Sequence, residues 1–257
     1  MISVLILDIN EAKENETREN ISKESVSKKK VSKKLHTCPL PQAEDRDPRL
    51  FLLRKGLRFM GADSLAEKLT PKMICLGRDG KPSFSERITE KTGIFFNLSH
   101  SGSYLAGAFS DREIGLDIQT TSPPHRDVLR IARKFFPLDE YEFLAAIKDR
   151  ENQLELFFRL WSIKEAYLKY CGCGLKADLN SFLIRPLPQI PSMQDKRQDM
   201  QNQGMDTDTE IQKGSLSVLK KEDLLSPAEY ALLSAPPGYT LAVCAETIPD
   251  RIQIHYV

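Results

Sequence analysis

Apolar and polar positions alternate along Glu113-Ile114-Gly115-Leu116-Asp117-Ile118-Gln119, with Ile114, Leu116 and Ile118 on one side and Gly115, Asp117 and Gln119 on the other. A period of two predicts a strand with one face in a core. From Leu154 to Leu168 the pattern changes, and Leu, Phe, Trp, Ile and Tyr recur on nearly every side. That is how a helix embedded in a domain reads. Counting helical turns, Trp161, Lys164, Glu165, Leu168 and Lys169 are expected on one face.

The remaining elements follow in order. Met1 to Asp8 reads as an N-terminal strand, and the Glu-, Lys- and Ser-rich stretch from Glu11 to His36 as a flexible charged excursion. Ala43 to Lys68 is helical, with Pro48 near its start and a second short helix from Ser64 to Leu69. Lys72 to Leu76 reads as a strand and Arg78 to Pro82 as a turn that presents Lys81. Phe84 onward returns into a strand at Phe95-Phe96, and another runs from Tyr104 to Ser110. Helices are expected at Val128 to Phe135 and Leu138 to about Lys148, and the long helix stops near Cys171-Gly172-Cys173-Gly174. Phe182 to Ile184 is strand-like, and Pro186 to Gly214 has no periodicity, as in a disordered insert. Leu216 to Leu225, Tyr239 to Ala245 and Ile252 to Val257 supply closing strands. The sum is an α+β chain in two halves, 1–111 and 112–257, each pairing a sheet with a long helix.

Composition narrows the class. A net charge of +1 over 257 residues argues against nucleic acid. Five cysteines, without a zinc-finger spacing, read as reduced thiols in the cytoplasm. The opening run lacks a basic lead-in, so neither a signal peptide nor a membrane span is expected. The basic cluster around Lys28 to Lys34 reads as a solvated loop.

Candidate chemistry sits at three stretches. Glu165 lies between Lys164 and Lys169 in apolar surroundings, so it needs a cationic neighbour. Asp117 on a strand and Glu165 on a helix, offered to one space, suit a hard cation such as magnesium, which takes one or two carboxylates and completes its shell with water and phosphate oxygens. Phe95 to Ser103 runs from an apolar strand into hydroxyls, a histidine and glycine, a setting that favours an anion. A serine nucleophile is disfavoured, because Ser99, His100 and Ser101 are neighbours whose side chains diverge on extended backbone.

Asn97-Leu98-Ser99-His100-Ser101, Gly115-Leu116-Asp117-Ile118 and Trp161-Ser162-Ile163-Lys164-Glu165-Ala166, in this order and spacing, resemble the 4′-phosphopantetheinyl transferases, surfactin-synthetase-activating type. Arg133 to Pro137 with Glu140-Tyr141, and Gly80-Lys81-Pro82, resemble that family's connecting and adenine-side segments. The resemblance runs from about Gly80 to Leu175 and is absent in the inserts. It implies two similar subdomains related by pseudo-twofold symmetry with the ligand cleft between them. It also implies transfer of the 4′-phosphopantetheine arm of coenzyme A to a serine of an apo acyl or peptidyl carrier protein, with 3′,5′-ADP released.

The implied roles are magnesium binding by Asp117, Glu165 and Gln119, and catalysis by Glu165 and Lys169, with either Glu165 or a water on the metal taking the serine proton. Coenzyme A is expected at Lys81, Pro82, Ser99, His100, Lys164 and Arg49, with Arg54 the alternative to Arg49 and carboxylate pairing the alternative for Lys164. Gln119 departs from the family, where many members carry a second carboxylate, and weaker magnesium affinity is expected from it. A monomer is expected. Two other readings are a non-catalytic coenzyme A or carrier-binding module and a magnesium-dependent nucleotide hydrolase.

Overall fold

A computed structural model of the chain describes residues 1–10, 47–77, 80–121, 127–174, 177–189, 207–208, 211–219 and 225–257. The charged stretch 11–36 and most of the 186–214 insert lie outside these residues. Strands are β1 (Ile2–Asp8), β2 (Ile74–Leu76), β3 (Pro82–Phe84), β4 (Phe95–Ser101), β5 (Tyr104–Ser110), β6 (Ile114–Thr120), β7 (Phe182–Arg185), β8 (Thr207–Asp208), β9 (Gln212–Val218), β10 (Ala228–Leu233), β11 (Tyr239–Ala245) and β12 (Gln253–Tyr256). Helices are α1 (Pro48–Phe59), α2 (Asp63–Lys68), α3 (Glu86–Thr92), α4 (Val128–Phe135), α5 (Leu138–Ala146) and α6 (Arg150–Cys171).

The long strands form two sheets, ordered β4-β5-β1-β12-β8 and β6-β11-β10-β9-β7. Their inner faces meet. Ile2, Val4 and Ile6 of β1, with Ala106 and Ala108 of β5, share one core with Leu116 and Ile118 of β6 and Leu241 and Val243 of β11. The opposite face of the first sheet carries Leu5, Leu105 and Phe109 against Leu52, Leu53 and Leu57 of α1. On the far face of the second sheet, Tyr230, Ala242 and Cys244 pack on Leu160, Ile163 and Tyr167 of α6. The α+β prediction therefore resolves into helix, sheet, sheet, helix, with two-residue alternation sending each strand's side chains to two cores.

Four expectations need correction. The C-terminal strand does not stay with its half, because β12 pairs in parallel with β1, Val4 opposite Ile254. Glu86 to Thr92 forms a helix in the stretch expected only to lead from Phe84 back into the Phe95-Phe96 strand. β9 starts at Gln212, inside the segment expected to be disordered, and ends at Val218. β10 was not anticipated, since Ala228–Leu233 has apolar residues on both faces and lies between two cores. Helix α6 starts at Arg150, ahead of the apolar stretch from Leu154, and stops at Cys171, where the glycines were expected to end it. Among the described residues, Cys75, Cys171, Cys173 and Cys244 form no disulfide, and no helix is long and apolar enough to cross a membrane.

Candidate active site

Strands β4 and β6 are edge strands of different sheets. An edge strand leaves a row of backbone N–H groups without ladder partners, and β4 supplies side chains in their place. Asn97 Oδ1 accepts from the Leu116 N–H at 2.9 Å, Ser99 Oγ from Ile118 at 3.2 Å, and Ser101 Oγ from Thr120 at 3.0 Å. The two-residue spacing of these polar side chains matches that of the N–H groups they meet. The stretch read as an anion loop is thus first a clasp between the halves. Beyond it, the Ser103 N–H donates to the Tyr239 hydroxyl at 3.1 Å, and Tyr104 meets Tyr239 edge-on at 4.9 Å.

The clasp delivers Asp117 to helix α6. Gly115, two residues earlier on the same face of β6, lies so close to the helix that an added Cβ would strike Ala166 O and Tyr170 N. The absent side chain lets the helix approach, and the Lys169 ammonium reaches across to Asp117 Oδ1 and Ser99 Oγ, each at 2.8 Å. Ser99 Oγ also lies 3.0 Å from Asp117 Oδ1.

Asp117 is 6 % exposed, and its second oxygen, Oδ2, is buried with no hydrogen-bond partner. Burial pushes the Asp117 carboxyl up, while the charge and hydrogen bond of Lys169, and the Ser99 and Ser162 hydroxyls, pull it down. Glu165, half-buried one turn before Lys169, is pushed up by burial first and by the Asp117 charge second, with Lys169 opposing. It makes no hydrogen bond or ion pair with any described residue. An acidic pair, one basic group and one idle carboxylate oxygen are gathered where β4, β6 and α6 meet.

Lys164 is not part of this cluster, and its assignment to coenzyme A is corrected. It lies one residue, about 100°, from Glu165 around the helix, and it points to the other side. Its ammonium is fully buried, paired with Glu140 Oε2 at 2.9 Å and donating to Leu179 O at 3.0 Å and Phe182 O at 3.2 Å. The Phe182 ring lies 4.4 Å away. Glu140 Oε1 accepts from the Ile184 N–H at 2.9 Å. Burial pushes Glu140 up and Lys164 down, each opposed by its partner's charge. No surface remains for a ligand, and the carboxylate alternative is the one realised.

Ser99 is likewise moved from the nucleotide side, because its buried hydroxyl is occupied by Ile118, Lys169 and Asp117. Lys81 is packed rather than presented, 2.8 Å from Glu113 Oε2 with 19 % of its side chain exposed. Pro82 opens β3 opposite Leu76. His100 is exposed near the end of β4. Arg49 folds onto the α1 cap, 3.1 Å from Asp47, and is not brought to the cluster, while Arg54 donates to Leu69 O at 2.9 Å. Gln119 follows Asp117 on the same face and donates weakly to Thr120 O at 3.4 Å. Sequence reasoning missed Asn97 and Ser101 as clasp residues and Glu140 as the partner of Lys164. Alternating polar residues in an apolar strand were the signal for the first two, and a lysine inside an apolar helix was the signal for the third.

A divalent cation fits this donor set on one observation above all, the idle buried oxygen of Asp117. Among the described residues no group of three or more His, Cys, Asp or Glu is assembled to hold a metal. Two carboxylates that leave the remaining positions to water and ligand oxygens suit magnesium rather than zinc or calcium.

Comparison with known proteins places the chain in a family. The family model described as the 4′-phosphopantetheinyl transferase superfamily matches residues 113–244. The 4′-phosphopantetheinyl transferase Sfp of Bacillus subtilis is 35% identical over 166 residues, 65% of this chain and 59% of the relative. HetI of Nostoc, a 4′-phosphopantetheinyl transferase, is 40% identical over 44% of this chain and 46% of its own. The human L-aminoadipate-semialdehyde dehydrogenase-phosphopantetheinyl transferase is 34% identical over 42% of this chain and 38% of its own. The chain thus spans between 38% and 59% of the length of these curated relatives.

Proposed function

The chain belongs to the 4′-phosphopantetheinyl transferase superfamily, and from that premise we propose that it moves the 4′-phosphopantetheine arm of coenzyme A onto a serine of an apo acyl or peptidyl carrier protein. The observation that carries this reading is the Asp117 carboxylate, clamped by Ser99 and Lys169 with one oxygen idle, beside the unpartnered Glu165. The buried Lys164–Glu140 pair differs, since its one oxygen without a hydrogen bond, Glu140 Oε2, faces the Lys164 ammonium at 2.9 Å.

The reaction forms a bond from the carrier serine oxygen to the β-phosphorus of coenzyme A. It breaks the bond to the bridging oxygen, which leaves on 3′,5′-ADP. The serine proton goes to the Glu165 carboxylate. Glu165 is half-buried one turn before Lys169, where a carboxylate can accept a proton from a serine brought to the pyrophosphate. Lys169, with 29 % of its side chain exposed, offers positive charge to the pyrophosphate in advance of the charge that develops there. Asp117 and Glu165 would hold magnesium, with Gln119 beside them, and the ion when bound neutralises phosphate oxygens. His100, Lys81 and Pro82 serve the nucleotide end, with Lys81 exchanging Glu113 for the ligand. Arg49 meets the 3′-phosphate. The two halves of the cleft lie in one chain, which supports a monomer, and free thiols support a reducing, cytoplasmic setting.

The test is to incubate the protein with coenzyme A, magnesium and an apo-carrier and to weigh the carrier by mass spectrometry. A carrier heavier by the pantetheine arm is expected. Coenzyme A bound with no gain in carrier mass would instead mean a binding module, and coenzyme A cleaved with no gain would mean a hydrolase.

A further inference from the structure

The same helix offers two lysines to two carboxylates, and only one of them is locked in place. Lys164 is fully buried with three oxygens within 3.2 Å. Lys169 contacts two, Asp117 Oδ1 and Ser99 Oγ, and 29 % of its side chain meets solvent. An ammonium on a four-carbon stem with access to water can change partners. Asp117 is a buried carboxylate that leaves Oδ2 without a partner, although an idle buried acceptor is costly. Lys169 therefore only half-satisfies the acid it holds.

We infer that Lys169 is the resident cation of this site: its ammonium sits on Asp117 until a divalent ion takes that carboxylate, and Lys169 then transfers to the pyrophosphate. The inference rests on the transferase reading and deepens it. A positive charge 2.8 Å from Asp117 opposes a second, doubly charged cation on the same group, and in a half-buried site that repulsion is weakly screened. Ion and coenzyme A consequently load together, because the pyrophosphate gives the displaced ammonium somewhere to go. Lys169 thus has two successive partners, Asp117 at rest and phosphate during transfer.

The sign of the effect makes this testable, since removing a supposed active-site residue should strengthen binding of the ion. Manganese binding would be measured by electron paramagnetic resonance at pH 8.5, without coenzyme A, for wild type, Lys169→Met, Lys169→Gln and Lys169→Arg. Glutamine keeps the hydrogen-bond donors without the charge, and arginine keeps the charge. The two neutral variants should bind manganese about tenfold more tightly or better, and the arginine variant should stay within roughly threefold of wild type. Should wild type bind the ion and both neutral variants bind it equally or more weakly, Lys169 is not its competitor. Should no variant bind it, with or without coenzyme A, the carboxylate pair is not a metal site and both this inference and the metal assignment fall.

Discussion

Two lysine–carboxylate pairs sit on one helix and differ in what they leave over. The Lys164–Glu140 pair is sealed: both partners are fully buried, Glu140 also holds the Ile184 N–H, and the ammonium also holds two carbonyls. The Lys169–Asp117 pair is open, with an idle carboxylate oxygen, a half-exposed lysine and the unpartnered Glu165 at its side. The first ties α5 and α6 to β7. The second faces the seam between the sheets. A charge in an apolar setting is therefore no sign of function by itself: Glu140 Oε2 also lacks a hydrogen bond but lies 2.9 Å from the Lys164 ammonium, whereas Lys169 meets Asp117 at Oδ1 and leaves Oδ2 unbonded.

The strongest way to break this comparison is to remove one partner of the sealed pair. Lys164→Met strands Glu140 in the core, and unfolding free energy measured in urea should fall by about 3–5 kcal/mol. Adding Glu140→Leu should restore part of it, because the mutual charge is gone while the Ile184 N–H and the Leu179 and Phe182 carbonyls stay without their partners. Asp117→Asn attacks the open pair and should lower carrier modification by about 10²–10³-fold, with the urea midpoint changed far less than by Lys164→Met.

Gly115→Ala tests whether the close approach of α6 matters. The new methyl group meets Ala166 O and Tyr170 N, so about 1–3 kcal/mol of stability should be lost, and transfer should fall further than the loss of folded protein explains. A pH series against Asp117→Asn isolates the contribution of the open pair. Asp117 and Glu165 are raised when folded, so the folded state holds their protons more tightly than the unfolded chain does. Their contribution is present below the ordinary carboxylate range and is lost as pH rises through the raised values. Urea unfolding from about pH 4 upward should show wild type losing stability relative to Asp117→Asn. The smallest effect is expected at Gln119→Glu, where an added charge should lower the magnesium concentration for half-maximal transfer a few-fold. An unchanged value would remove position 119 from the site.

Much of this arrangement could be read from residue order. The alternation through β6 placed Asp117 on the face away from Leu116 and Ile118, and the apolar wrapping of α6 showed that its charges would need partners. What could not be read was which partner each would find. Lys164 and Glu165 are adjacent in sequence, and only the packing of α5 and β7 against one side of the helix decides that Lys164 turns to Glu140. Asn97, Ser99 and Ser101 looked like an anion loop because local composition carries no information about the bare edge of β6, which is remote in sequence. β10 was missed because a strand between two cores has no polar face to betray its period. The pairing of β12 with β1 joins the two ends of the described chain, a contact that no local pattern reports.

The most direct test of the central claim compares initial transfer rates per folded molecule. The Lys164→Met/Glu140→Leu double variant and Asp117→Asn would be assayed with coenzyme A, magnesium and one apo-carrier, and read by carrier mass. The account predicts that the double variant, lacking the sealed pair, stays within a few-fold of wild type, and that Asp117→Asn falls by about two orders of magnitude or more. Equal losses in the two, or loss only in the double variant, would contradict it.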